Sequence, residues 1–173
     1  IIKDSSQFIY NISKKISYID VIANFSDISL NMNYSKPELS SKTMIDITDG
    51  RHPVVEASLI KNSQEFISND CKMDSKNFAW LMTGPNMAGK STFLRQTALI
   101  IIMNQIGCFV PAGHAKLGIF KKIFTRIGAS DNLSKGMSTF MTEMIETSRI
   151  INEATNDSLV ILDELGRGTS TED

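Results

Sequence analysis

Residues 84–91 read Gly84-Pro85-Asn86-Met87-Ala88-Gly89-Lys90-Ser91, matching G-x-x-x-x-G-K-[ST] at every fixed position. The chemistry such a run serves is the capture of a phosphate chain. Glycines let the backbone bend until successive N–H groups point inward at phosphate oxygens, and a helix beginning at the loop adds its N-terminal partial positive charge. Lys90 brings a full charge to the β and γ phosphates and Ser91 a hydroxyl for Mg²⁺, and Thr92 is counted with the loop among the nucleotide-binding residues. At average residue frequencies the pattern arises by chance in roughly one chain in two hundred of this length. The plain alternative is a glycine-rich strand-to-helix turn that binds nothing.

A second cluster lies downstream. Leu159-Val160-Ile161-Leu162 is a run of four apolar residues that ends in Asp163-Glu164. It reads as a buried strand of the same sheet as the strand entering the loop, with two carboxylates at its end. Asp163 suits the Mg²⁺ water shell, and Glu164, one residue beyond, suits a general base for the attacking water. A solvated strand end is the plain reading of the same two acids.

The elements that must position these groups can be traced by periodicity. Over residues 5–31 the apolar positions Ile9, Ile12, Ile16, Ile19 and Ala23 recur in steps of three and four, one face of a long amphipathic helix expected to pack on neighbouring helices. The seam lasts only about two heptads, too few for a coiled coil. Ser35, Pro37, Ser40 and Ser41 then mark a connector that ends the helix. The domain boundary is placed there, with residues 1–35 apart from residues 36–173. Ile45 and Ile47 alternate with Met44, Asp46 and Thr48 as in a half-buried strand that Gly50 ends. Residues 78–82 read as a buried strand entering the loop, 90–106 as a helix, 121–127 as a strand and 139–154 as a helix. Strand, helix, strand, helix, strand is the order of an α/β sheet with helices packed on it.

Composition adds bounds. The chain has 173 residues, 42% hydrophobic and 21% charged, an ordinary globular balance. Its formal net charge of -1 supplies no basic field for holding nucleic acid through phosphates. Cys71 and Cys108 read as reduced thiols, which fits a cytosolic, nuclear or organellar compartment, and no apolar run approaches the roughly 20 residues of a membrane span. His52 and His114 have no second ligand at metal spacing and read as surface or hydrogen-bonded histidines. Ile1 in place of an initiator Met, and a stop just after a Gly- and Thr-rich stretch, lead to the expectation that this is a piece of something longer.

Three ordered stretches carry a resemblance: residues 84–92, Ser138-Thr139-Phe140-Met141-Thr142-Glu143-Met144, and Asp163-Glu164-Leu165-Gly166-Arg167-Gly168-Thr169-Ser170-Thr171. Together they resemble the MutS family of DNA mismatch repair ATPases. Gly50-Arg51-His52-Pro53-Val54-Val55-Glu56 and Phe124-Thr125-Arg126-Ile127-Gly128-Ala129 also look like stretches of that family. The resemblance implies an α/β P-loop NTPase of the ATP-binding-cassette type, here incomplete, preceded by the last lever helix of a clamp. The cofactors it implies are ATP and Mg²⁺, with Lys90 and Glu164 catalytic, Ser91 and Asp163 at the metal, and Asn86 helping to place water or a phosphate oxygen.

Cassette ATPases work as pairs, so the resemblance also implies a second MutS-family subunit, identical or paralogous. Ser138, with Gly136 and Thr139, would form the signature that closes over the partner's nucleotide; as residues alone, Ser138 is a reasonable N-cap. Phe66, in Glu65-Phe66-Ile67-Ser68-Asn69-Asp70, falls where the family stacks an aromatic ring on adenine, a contact on the order of 1 to 3 kcal/mol. A core phenylalanine is the alternative. Arg126 is either a γ-phosphate sensor or a surface or interface arginine. Mismatched double-stranded DNA and downstream repair factors are implied as partners through domains outside this chain, with no membrane. The implied compartment is the nucleus or mitochondrion in a eukaryote and the cytoplasm in a bacterium.

The competing readings are a MutS-like clamp for other DNA structures, a meiotic or ribosome-acting paralogue, and another cassette ATPase. The last usually carries an LSGGQ-like signature, unlike Ser138-Thr139-Phe140-Met141. Asn86-Met87 and Gly166-Arg167-Gly168-Thr169 fit the repair branch better than the ribosome-acting one. By itself the chain is expected to be inactive and poorly soluble or partly molten, since a sheet cut short leaves an unpaired edge and exposed apolar faces.

Overall fold

The computed structural model describes residues 5–85, 88–127 and 139–163. Helix α1 (Ser6–Asn31) is followed by strands β1 (Glu38–Leu39) and β2 (Ile45–Gly50), helix α2 (Pro53–Lys61) and strand β3 (Asn69–Met73). Helix α3 (Lys90–Gln105), strands β4 (His114–Leu117) and β5 (Lys122–Ile127), helix α4 (Thr139–Glu153) and strand β6 (Ser158–Asp163) are the remaining described elements.

The described strands form two sheets. In the first the order is β1-β4-β2-β3, with β2 antiparallel to both β3 and β4 and β1 parallel to β4. The alternation expected in β2 is realised, since Ile45 and Ile47 are almost fully buried. The second sheet pairs β5 with β6 in parallel, in unbroken register from Lys122↔Ser158 to Ile127↔Asp163. Helix α4 is the connection that a parallel pair requires, and it packs on β5. Helix α3 ties the sheets together: its Ala98, Ile100 and Ile101 share one core with Ile45, Ile47, Ala115 and Leu117 of the first sheet and Leu159 and Ile161 of β6. Cys71 and Cys108 are free thiols in the interior, and burial pushes Cys71 up to about 11.

Helices α1, α2 and α3 stop by one device. Each ends on a residue with left-handed backbone, Asn33 (φ 50), Ser63 (φ 54) and Gly107 (φ 85). In each the following N–H reaches back to close the last turn: Tyr34 N to Ser29 O, Gln64 N to Leu59 O and Cys108 N to Met103 O, at 2.9, 3.0 and 3.0 Å. Asn33 therefore ends α1, before Pro37 is reached.

Two expectations are corrected. The apolar stripe of α1 does not pack on neighbouring helices among the described residues: Ile9, Ile12, Ile16 and Ile19 are 41–66% exposed, and only Ser29 of this helix is buried. The segment 78–82 is not a strand, and the phosphate loop and β6 do not flank one described sheet. A strand needs a neighbour to receive its backbone hydrogen bonds, and no described strand runs beside this segment. Phe78 and Leu81 stand 77% and 93% exposed.

Candidate functional site

The 84–91 loop leads into α3 through two residues whose backbone demands glycine. Gly84 has φ 147 and Gly89 φ 86, and a Cβ built on either would meet nothing within 4 Å. Conformation rather than crowding therefore selects glycine there. Ala88 N donates to Pro85 O at 3.3 Å, and Phe93 N donates to Gly89 O at 2.9 Å, the first turn of α3. Lys90 curls back over this bend, with Nζ donating to Gly84 O at 2.6 Å and to Pro85 O at 2.9 Å. Two of the three ammonium donors thus brace the loop, and one remains for an incoming acceptor. No acidic residue lies in the first turn of α3, so no carboxylate of that turn competes for its N-terminal field. Ser91 and Thr92 lie half-buried in that turn, and Asn86 and Met87 lie outside the described residues.

What holds α3 in place lies on its inner face. Gln96 is buried beside Gly50, where a Cβ would come within 2.8 Å of Gln96 Nε2. Trp80 lies against Phe93, which itself packs on the core, so residues before and after the loop are joined through their rings.

The other sequence-predicted residues fall into separate groups. Asp163 is the last residue of β6, half-buried and registered opposite Ile127, and β6 packs against α3. Glu164 and Ser138 lie outside the described residues. Arg126 leaves β5 with only 11% of its side chain exposed and pairs with Glu146 of α4, Nε to Oε2 at 3.1 Å. Phe66 lies half-buried on the turn between α2 and β3, and the next residue, Ile67, is 86% exposed.

His52 is buried and hydrogen-bonded: its Nδ1 accepts from Val55 N at 3.3 Å and caps α2, with Pro53 in the first turn. Burial, assisted by the positive charge of Arg95, lowers its pKa from the ordinary histidine value. Its neighbour Arg51, passed over as a functional residue, is a joint. Nη2 donates to Met32 O and Asn33 O at 3.1 and 3.0 Å, at the carbonyl end of α1. Nε lies 2.6 Å from Glu56 Oε1 in α2. No periodicity marks such a residue, because its side-chain partners come from two separate stretches of chain.

Similarity to known proteins fits this arrangement. A family model described as MutS domain V matches residues 80–173. A DNA mismatch repair protein MutS of Rickettsia prowazekii (strain Madrid E) is 54% identical over 98% of this chain, which spans 19% of that relative. The protein of the same description from Orientia tsutsugamushi (strain Boryong) is 57% identical over 90% of the chain, 17% of its own length. The chain thus spans less than a fifth of the curated relatives it matches.

Proposed function

The chain belongs to the MutS family, and we propose that it is the ATP-binding and hydrolysing module of a DNA mismatch repair protein, coupling nucleotide state to clamp formation on mismatched DNA. The observation that carries this reading is the Lys90 ammonium held by the carbonyls of Gly84 and Pro85 at the head of α3. Open glycine backbone, a lysine donor to spare and a helix start without acidic residues fit a polyphosphate. In this reading the fold is the P-loop type of the cassette ATPases, and residues 1–35 are the end of a lever.

The roles follow from residue chemistry. Backbone N–H groups of residues 84–92, Pro85 excepted, and Lys90 hold the triphosphate, and Phe66 stacks on adenine. Ser91 and Asp163 hold Mg²⁺, which when bound neutralises charge on the phosphate oxygens. Glu164 takes the proton of the water that attacks the γ phosphorus while the bond to the bridging oxygen breaks, yielding ADP and phosphate. Ser138 and its neighbours close over the nucleotide of a second MutS-family subunit. Mismatched DNA and downstream repair factors are met through parts of the longer relatives that this chain does not span. The named relatives are bacterial, which favours the cytoplasm as the compartment. No helix among the described residues is long and apolar enough to cross a membrane.

The test is the ATPase rate of the full-length protein carrying this sequence, with a matched duplex and with the same duplex holding one mismatch. A mismatch-dependent change in turnover or nucleotide exchange is the expected result. Equal rates on both, with activity intact, would move the reading to a MutS-like clamp for other DNA structures.

A further inference from the structure

Asp49 holds a backbone conformation that side chains rarely adopt, φ 52, at the end of β2 where the pairing with β3 shifts register between Ile47 and Gly50. Such positions persist where the surroundings over-determine them. The surroundings here are the turn that carries Phe66. Ser68 Oγ donates to Asp49 Oδ1 at 3.0 Å, and Asp49 N donates to Asp70 Oδ1 at 2.9 Å. From the other side Gly113 N donates to Thr48 O at 3.0 Å, and a Cβ on Gly113 would come within 3.0 Å of Asp49 Oδ2. The carboxylate is therefore seated between Ser68 and a backbone that only glycine allows so near.

These contacts fix the exit of the turn from Ser68 onward. Its entrance is fixed by the end of α2, where Ser63 N and Gln64 N reach back to Ile60 O and Leu59 O, both at 3.0 Å. Only residues 65–67 lie between the two fixed ends, and the carbonyl of Ile67 accepts from Asn69 Nδ2 at 3.0 Å. With both ends held, the place of the Phe66 ring is set by three residues.

We propose that Asp49 is a positioning residue for base recognition: by holding Ser68 and Asp70 it presents Phe66 to the adenine ring, and so governs affinity for the base of ATP and not for its phosphates. This rests on the stacking role of Phe66 proposed above.

The experiment is calorimetric titration of the full-length protein carrying this sequence, with Mg-ATP and separately with inorganic tripolyphosphate. Asp49→Gly keeps the left-handed backbone and removes the acceptor, Ser68→Ala removes the donor, and Asp49→Asn keeps both, since asparagine tolerates this backbone. Phe66→Ala is the reference, expected to weaken ATP roughly 5- to 150-fold. Asp49→Gly and Ser68→Ala should each weaken ATP roughly two- to tenfold, the scale of one hydrogen bond, and leave tripolyphosphate unchanged. Asp49→Asn should bind ATP as the wild type does. Wild-type ATP affinity in Asp49→Gly and Ser68→Ala, beside a clear loss in Phe66→Ala, overturns the role of Asp49 and leaves the stacking reading standing. Equal loss of both ligands in Asp49→Gly, or no rescue by asparagine, also overturns it. No loss in Phe66→Ala overturns the stacking reading and the role of Asp49 with it.

Discussion

The indole of Trp80 lies flat against the ring of Phe93, with centroids 6.0 Å apart and planes 4° from parallel. Trp80 precedes the phosphate loop and Phe93 belongs to the first turn of α3, so the pair clasps the two arms of the loop. Trp80 is the only tryptophan of the chain, and 46% of it is exposed. Adding Mg-ATP to the full-length protein carrying this sequence should therefore change its tryptophan emission by a component that Trp80→Phe removes. Phe93→Ala should loosen the clasp and weaken ATP roughly two- to tenfold, the value of an aromatic pair beyond its buried area. Emission indifferent to saturating ATP would show that the clasp does not sense the loop.

Lys90 braces the loop through two carbonyls before any ligand arrives, so its removal takes away both a brace and a charge. Lys90→Ala should weaken ATP by about tenfold or more, as a charged hydrogen-bond donor is lost. Lys90→Arg should not restore it, because a planar guanidinium cannot reproduce a compact ammonium set between two carbonyls. Glu164→Ala should bind ATP normally and fail to turn it over. Equal loss of binding in Lys90→Ala and Glu164→Ala, measured by titration beside steady-state turnover, would refute the division of roles.

Gly89 and Gly107 sit just outside opposite ends of α3 with nearly the same backbone, φ 86 and φ 85, and open space where a Cβ would go. Alanine at either should cost about 1–2 kcal/mol of stability, the ordinary penalty for left-handed backbone. Only Gly89→Ala should also weaken ATP, since it alone bends the loop that faces phosphate. Thermal melts with and without ATP separate the two effects: similar melting points without ligand, and a smaller ligand-induced rise in Gly89→Ala alone. An identical rise in both variants would mean that the left-handed bend is needed for the helix and not for the ligand.

Local features were legible in the sequence and non-local ones were not. The loop, α3, β5, α4 and β6 declare themselves because a glycine bend, a helical period or a short apolar run is a property of adjacent residues. Residues 78–82 have the apolar content of a strand, yet strand formation depends on a neighbour, and the described neighbours pair elsewhere. β3 escaped notice because Asn69, Asp70 and Lys72 surround its single buried residue, Cys71. Asn33, not Pro37, stops α1, since asparagine can take a left-handed backbone and the chain then turns before proline matters. At the site, the residues that touch their own loop were readable. Arg51 and Asp49, whose side-chain or backbone hydrogen bonds reach residues roughly 20 positions away, carry no local signature.

His52 gives stability a pH dependence whose sign follows from its geometry. Its Nδ1 must be unprotonated to accept from Val55 N, and the ring is buried, so folding favours the neutral form and lowers the pKa below the ordinary 6.5. The unfolded chain then binds more protons than the folded one as pH falls below that value, and stability rises with pH across this window. The contribution is fully present above pH 6.5 and is lost as pH falls through the folded pKa. Its size should be about 1 kcal/mol, that of a lost N-cap. Urea melts of the wild type from pH 7.5 downward should show this loss. His52→Asn, which caps without titrating, should flatten this part of the profile and keep the stability. His52→Ala should flatten it at the lower level. A profile of unchanged slope in His52→Asn would assign the dependence to other groups and leave His52 a cap alone.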